Sequence, residues 1–138
     1  MIAHSEWQQG NTFQGISENG NTIPFDGDAA HKHGPSPMEA VLMALCGCTS
    51  VGVVSILKKK RQELTGLGVT AKAEQASEAP RVFTRIRLTY AVRGKLSRKA
   101  VEDAVTLSKN KYCSVSKMLE KSADIDYEIV YPEGEPEP

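Results

Sequence analysis

The sequence has no net charge, few aromatic residues and few cysteines. Seventeen lysine and arginine residues balance seventeen aspartate and glutamate residues, so the formal net charge is zero. A protein built mainly to bind nucleic acid normally carries a basic excess, so this balance argues against that class. It also argues against a polybasic membrane-surface protein. Aromatic residues make up only 6% of the chain, which leaves few platforms on which single-stranded bases could stack.

The cysteine count excludes a secreted disulfide framework. There are three cysteines, Cys46, Cys48 and Cys113, and such frameworks use a larger and even number. The chain does not open on a basic segment followed by an apolar one, so we expect no signal peptide and a cytoplasmic protein with free thiols. Its 138 residues fit one domain. We place that domain over residues 1–131 and an acidic, proline-rich disordered tail over residues 132–138.

An uncharged segment from residue 40 to residue 57 dominates the middle of the chain. Its length and the four basic residues after it resemble a membrane span with a stop-transfer signal. Glycine, serine and threonine dilute its hydrophobicity, however, and the flanking segments have strand patterns. We therefore interpret it as a buried helix and keep a membrane-anchored domain as the alternative.

The pattern of turns and apolar residues predicts the order β-β-β-α-β-β-α-α-β. Asn-Gly pairs separate three short N-terminal strands. Ser36, Pro37 and Glu39 form a capping box that starts a long helix, which we expect to run to Lys60 and to stop before Gly66. Two strands follow Gly68, then two short helices divided at residues 109–112, and a last strand. Grouped strands of this kind indicate an α+β fold with a mainly antiparallel sheet.

The long helix predicts a homodimer. Residues 37–60 would form a helix of about 36 Å, whereas a compact domain of this size has a radius of gyration of roughly 14 Å. The helix is apolar on nearly every side, so every side must be covered. One small protomer with thin sheets can hardly cover it, and we therefore expect a second copy to do so.

The thiols are the residues best suited to carry chemistry. Cys48 lies in the middle of the helix, where a buried cysteine is more often a small apolar residue than a nucleophile. Cys113 lies at a predicted helix start, where the free N–H groups favour a thiolate; packing is an equal alternative. Cys46 and Cys48 point to opposite helix faces, so no disulfide joins them while the helix is intact. His31 and His33 match no metal signature and are expected to be exposed loop residues.

Three segments together resemble the osmotically inducible protein C and organic hydroperoxide resistance (OsmC/Ohr) family, and look closest to its YhfA-like branch. They are GPSPMEAVLMALCGCTSVGVVSILKKKRQ, EAPRVFTRIRLTYAV and KYCSVSKMLEK. The resemblance covers about residues 7–131. It implies an OsmC-like fold, with two mainly antiparallel sheets around long central helices in an intertwined homodimer.

The resemblance also implies an activity, the thiol-dependent reduction of organic hydroperoxides to alcohols. Carried over by position, Cys48 would attack the peroxide and become a sulfenic acid. Cys113 would resolve it as a disulfide. Glu39 has its capping role first, and we keep it as a candidate for a second role as a carboxylate near the thiol site. A lipoyl-type dithiol would restore the thiols, and no metal or bound cofactor is needed. Cys46 receives no role.

Two departures from the family pattern motivate an alternative. The family has a thiolate-stabilising arginine on its N-terminal strands, whereas this chain has no arginine before Arg61. The family glutamate directly follows the proline at the helix start, whereas Met38 lies there and Glu39 comes one residue later. Arg81, Arg85 and Arg87, from the same chain or from the partner subunit, are the candidates for the missing cation, and nothing in the sequence selects one. The alternative is a non-enzymatic dimer of the same fold that binds a small molecule or senses oxidants.

Overall fold

A computed structural model describes residues 1–136 and 138. They form two compact units, residues 1–43 and 44–138, and the boundary lies within the long helix. The expected division into a domain and a tail stays a prediction. Of the expected tail, position 137 lies outside the described residues.

The first unit is a three-stranded antiparallel meander. Its strands are β1 (Ala3–Gln9), β2 (Thr12–Ser17) and β3 (Thr22–Asp26), paired in the order β1-β2-β3. Gly10 and Gly20 occupy the two turns with φ of +53° and +86°, a region that glycine adopts without steric cost. The three predicted N-terminal strands and their turns are confirmed.

The second unit contains most of the long helix and a second three-stranded sheet. Its elements are α1 (Pro37–Lys59), β4 (Glu63–Gln75), β5 (Phe83–Lys95), α2 (Arg98–Leu107), a π turn (Ser108–Tyr112), α3 (Ser114–Leu119) and β6 (Asp124–Val130). The predicted element order is therefore confirmed. Strands β4 and β5 are antiparallel, whereas β5 and β6 are parallel, so the mainly antiparallel fold has one parallel pair.

The end of α1 differs from the prediction. The helix ends at Lys59, Arg61 turns the chain with φ of +56°, and β4 begins at Glu63. Gly66, expected to terminate the helix, instead lies inside β4 opposite Arg93. The helix-forming residues before it are overridden because β4 completes its backbone hydrogen bonds against β5, and pairing of this kind outweighs local propensity.

The core of the second unit lies between the sheet and the two longer helices. From Ile86 to Val92, strand β5 buries every second side chain and leaves those between them half-buried or exposed, as its sequence predicts. The residues fully buried on this strand are Ile86, Leu88, Tyr90 and Val92. Helix α1 adds a narrow stripe at helical spacing, Leu45, Thr49, Val53 and Leu57. Among the described residues, α1 is also the one helix long and apolar enough to cross a membrane by length and composition.

Candidate functional site

Cys48 lies on α1 directly before the buried Thr49, and its half-buried side chain is directed toward the start of α3. Burial tends to raise the pKa of its thiol. Hydrogen bonds from the amide of Val115, from the Cys113 thiol and from the amide of Ser114 outweigh that effect and hold the pKa below its usual value. The environment of Cys48 therefore favours the thiolate through neutral donors alone.

Cys113 is the N-cap residue of α3 and is only 1% exposed. Its Sγ accepts a hydrogen bond from the Ser116 amide at 3.4 Å. Burial raises the pKa of this thiol to about 11, and the neighbouring Cys48 adds to the shift. The prediction that Cys113 lies at a helix start is confirmed, but burial prevails over the amide at that position and keeps the thiol protonated.

The two thiols thus have different protonation preferences. The two neighbouring thiols shift each other in opposite directions: Cys113 lowers the pKa of Cys48, and Cys48 raises that of Cys113. A thiolate is the nucleophilic form of cysteine. The arrangement therefore makes Cys48 the more reactive thiol and keeps Cys113 neutral beside it.

A π turn places Cys113 at this site. The chain break expected at residues 109–112 takes the form of the turn Ser108–Tyr112, and the Cys113 amide closes it by donating to the Ser108 carbonyl at 2.7 Å. Single π turns occur mostly as local insertions in helices, often at functional sites. Here the turn separates α2 from α3, so that Cys113 becomes the N-cap of α3.

Cys46 occupies a different environment. Burial raises the pKa of its thiol, although the backbone of Ala71 on β4 acts on the thiol in the opposite direction. The sequence-based separation of Cys46 from Cys48 on opposite helix faces agrees with these contacts.

Glu39 and the two loop histidines belong to the first unit. The capping box is confirmed, because the Glu39 amide donates to Ser36 Oγ at 3.1 Å and the Ser36 amide donates to Glu39 Oε1 at 2.9 Å. The Ser36 amide and the nearby His31 hold the pKa of Glu39 below its usual value. Within residues 1–136 and 138, no group of three or more histidine, cysteine or acidic side chains could hold a metal ion. The role of Glu39 in the thiol site stays a prediction.

The candidate arginines have other partners. Arg85 and Arg87 lie on the exposed face of the sheet and pair with Asp126, and the Arg81 side chain donates to the Ala76 carbonyl. None of these cations influences the pKa of Cys48 within the described part of the chain. The expected replacement for the missing cation is therefore not one of these three arginines of the same chain.

An apolar groove of about 520 Å³ extends from Cys48 along α1. Its other lining residues come from α1, α2 and the π turn, and they are Val51, Gly52, Ser55, Ile56, Lys59, Leu107 and Tyr112.

Sequence reasoning missed the groups that stabilise the Cys48 thiolate. They are backbone amides of Ser114 and Val115, and every non-proline residue has such a donor, so no residue type reveals them. It also missed Ser108, the buried first residue of the π turn. A polar residue on an otherwise apolar helix face is the signal that would have drawn attention to it.

A pair of unlike thiols between a long helix and a short capped helix, in a chain that also forms two three-stranded sheets, is typical of an OsmC-like protein. The family model described as OsmC-like protein matches residues 28–128, and the chain belongs to that family. The match includes α1, so this apolar helix is part of the OsmC-like domain.

Known relatives support the assignment. The chain is 48% identical over 133 residues to Protein YhfA of Escherichia coli K12, which covers 94% of this chain and 98% of YhfA. A hypothetical protein from Aquifex aeolicus is 33% identical, with a TM-score of 0.82 over 96% of this chain and 97% of that one. The organic hydroperoxide resistance protein OhrB of Bacillus subtilis has the same fold, with 16% identity and a TM-score of 0.70 over 94% and 98% of the two chains.

Proposed function

We propose that the protein is a thiol-dependent peroxidase that reduces organic hydroperoxides to alcohols. The observation that carries the proposal is the pair of neighbouring thiols, in which Cys113 and the amides of Ser114 and Val115 lower the pKa of Cys48. Membership of the OsmC-like family supports a redox role of this type. The apolar groove that ends at Cys48 favours organic hydroperoxides over hydrogen peroxide.

The reaction has two steps on the protein. The Cys48 thiolate attacks a peroxide oxygen, so that an S–O bond forms, the O–O bond breaks, and the alkoxide takes a proton from solvent and leaves as the alcohol. The Cys113 sulfur then attacks the Cys48 sulfenic acid, so that an S–S bond forms and hydroxide leaves with the Cys113 proton as water. Two thiols supply the two electrons. A lipoyl-type dithiol reduces the disulfide by thiol exchange.

A non-enzymatic sensor or binding module is the second candidate. It is favoured because no cation of the described chain acts on Cys48, and a weakly activated thiol suits slow oxidation better than turnover. In that case hydroperoxide oxidises Cys48 and Cys113 once, and a lipoyl dithiol does not sustain the reaction.

Turnover separates the two candidates. We expect the wild-type protein to consume cumene hydroperoxide with reduced lipoamide, saturably, and with a kcat/KM about tenfold above that for hydrogen peroxide. That ratio corresponds to roughly 60 Å² of apolar surface buried in the groove. The measurement is hydroperoxide loss under steady-state conditions. Stoichiometric oxidation with no further consumption would identify the sensor.

We also propose that the protein is a soluble, cytoplasmic homodimer. Proteins of the OsmC/Ohr family are generally dimeric. Although α1 is apolar on most sides, it buries only four residues fully in the chain, and Val51 is 71% exposed. Such an apolar helix face requires a cover, and a second copy of α1 would supply an equally apolar one. Because Val51 also lines the groove beside Cys48, the second copy would form part of the wall of that groove in the proposed dimer.

The dimer prediction is tested with Val51→Lys. Burying a valine contributes about 1.5–3 kcal/mol, and a lysine there also brings two charges together across a twofold axis. We expect the dimer dissociation constant to rise by at least about 100-fold, measured by sedimentation equilibrium. Met118→Lys is the matched control, because Met118 is also apolar and exposed but lies on α3. A wild-type monomer, or a dimeric Val51→Lys protein, would contradict the prediction.

A further inference from the structure

Three buried hydroxyl groups connect α1, β5 and the π turn beside the two thiols. Thr49 Oγ1 lies 2.7 Å from the Tyr90 hydroxyl and 3.0 Å from Ser108 Oγ. Ser108 Oγ also donates to the Thr49 carbonyl at 2.7 Å. None of the three side chains is exposed to solvent.

The direction of each hydrogen bond follows from the donors available. Each hydroxyl has one proton, and the Ser108 proton goes to the Thr49 carbonyl, which can only accept. Thr49 must therefore donate to Ser108, and Tyr90 must donate to Thr49. Burial raises the pKa of Tyr90 to about 12, so its hydroxyl keeps the proton that this chain of bonds requires.

The same chain of bonds connects the two cysteines through the backbone. Thr49 directly follows Cys48, and the Ser108 carbonyl accepts the Cys113 amide that closes the π turn. Ser108 therefore holds Thr49 with its side chain and Cys113 with its backbone. The spacing between the two sulfurs depends on where the π turn lies along α1.

Gly52 shows how closely the turn approaches the helix. A Cβ atom at Gly52 would overlap Ser108 Oγ, and Ser108 Cβ lies in contact range as well. Because Gly52 is one turn after Cys48, the approach fixes Ser108 against α1 at the level of the thiol site. Without the hydrogen bonds between Ser108 and Thr49, this close contact alone would not fix the orientation of the π turn on α1.

We propose that Thr49 and Ser108 are positioning residues that hold the π turn on α1 and thereby keep Cys113 in reach of Cys48. The inference rests on the proposed dithiol chemistry, since it concerns formation of the Cys48–Cys113 disulfide. It does not require that a hydroperoxide be the oxidant. Tyr90 anchors the pair to β5 and completes the hydrogen bonding of Thr49.

The test measures the equilibrium of the intramolecular disulfide with a glutathione buffer, in a Cys46→Ser background that leaves two thiols. Oxidised glutathione takes two electrons from Cys48 and Cys113 and yields two reduced glutathione molecules and the protein disulfide. We expect Thr49→Val and Ser108→Ala to lower this equilibrium constant about tenfold, because the thiols lose preorganisation. The alkylation pH profile of Cys48 should shift upward in both.

The controls separate positioning from general stability. Thr49→Ser keeps the hydroxyl and should remain within about twofold of the parent. Thr106 lies two residues before Ser108, and its hydroxyl makes an exposed hydrogen bond with Tyr127. Thr106→Val removes that bond and should change neither the equilibrium constant nor the alkylation profile. If Thr49→Val does not fold, Ser108→Ala decides the result.

Two failures have different signatures. An unchanged equilibrium constant and alkylation profile in folded Ser108→Ala would overturn the positioning role and leave the peroxidase proposal intact. A shifted constant in a protein that does not turn over hydroperoxide would retain the positioning role and reject the peroxidase. A parent protein that forms no Cys48–Cys113 disulfide would reject both.

Discussion

Cys48→Ser is expected to abolish hydroperoxide reduction, with a fall in kcat/KM of at least about 1000-fold, or more than 4 kcal/mol of transition-state stabilisation. A serine hydroxyl is not ionised near neutral pH and cannot form a sulfenic acid. The amides of Ser114 and Val115 would still be present, but they would stabilise a neutral oxygen rather than an attacking anion. The measurement is lipoamide-dependent consumption of cumene hydroperoxide.

Cys46→Ser is the matched control for this prediction. Cys46 lies two residues away on the same helix, but burial raises the pKa of its thiol and its backbone contact is Ala71. The same chemical change there should leave kcat/KM within about twofold. Equal losses in the two variants would assign the effect to the helix rather than to the Cys48 thiol, and full activity in Cys48→Ser would reject the mechanism.

The pH dependence of the wild-type reaction has a definite sign. The nucleophile is the deprotonated form of Cys48, so the rate rises with pH up to the pKa of that thiol and then levels. The hydrogen bonds at the start of α3 place this pKa below that of an ordinary cysteine. Alkylation of Cys113 should stay slow until the pH approaches about 11. A single shared profile for both thiols would contradict the difference between them.

Much of the fold could be predicted because its signals are local. The capping box at Ser36 and Glu39, the alternation along β5 and the break before Cys113 each depend on residues close together in the sequence. The start of β4 could not be predicted from local signals, because Gly66 lies in a strand as a result of pairing with β5, which is distant in the sequence. The parallel partnership of β5 and β6 is likewise a long-range choice that no local pattern specifies.

The candidate site shows the same limit. The resemblance selects Cys48 and Cys113 by position, and the chain brings their side chains together. What replaces the absent arginine could not be predicted, because the donors are main-chain amides that depend on how α3 is oriented. Peptide amides are neutral, but their N–H groups stabilise an anion. The Cys48 thiolate therefore has stabilising partners even though the family arginine is absent.

Cys113→Ser is expected to separate the first reaction step from the second. The variant should reduce about one equivalent of hydroperoxide, since Cys48 and both amides are retained, and then accumulate the Cys48 sulfenic acid. Serine is close in shape to cysteine and its oxygen can accept from the Ser116 amide, so α3 keeps its cap. We expect disulfide formation to be lost and steady-state turnover to fall by at least about 100-fold, because an intramolecular thiol has a large effective concentration.

Mass spectrometry after one equivalent of cumene hydroperoxide, with and without a sulfenic acid trap such as dimedone, gives the result directly. The wild-type protein should lose two hydrogens and resist the trap, whereas Cys113→Ser should gain one oxygen and form the adduct at Cys48. The double variant Cys113→Ser, Cys46→Ser is the control for a substitute thiol. If the single variant forms a Cys46–Cys48 disulfide and the double variant does not, α1 must unwind during the reaction, because an intact helix keeps those thiols on opposite faces. The Cys48 sulfenic acid would then be resolved by either Cys113 or Cys46. Undiminished turnover in the single variant would show that Cys113 has no part in the mechanism.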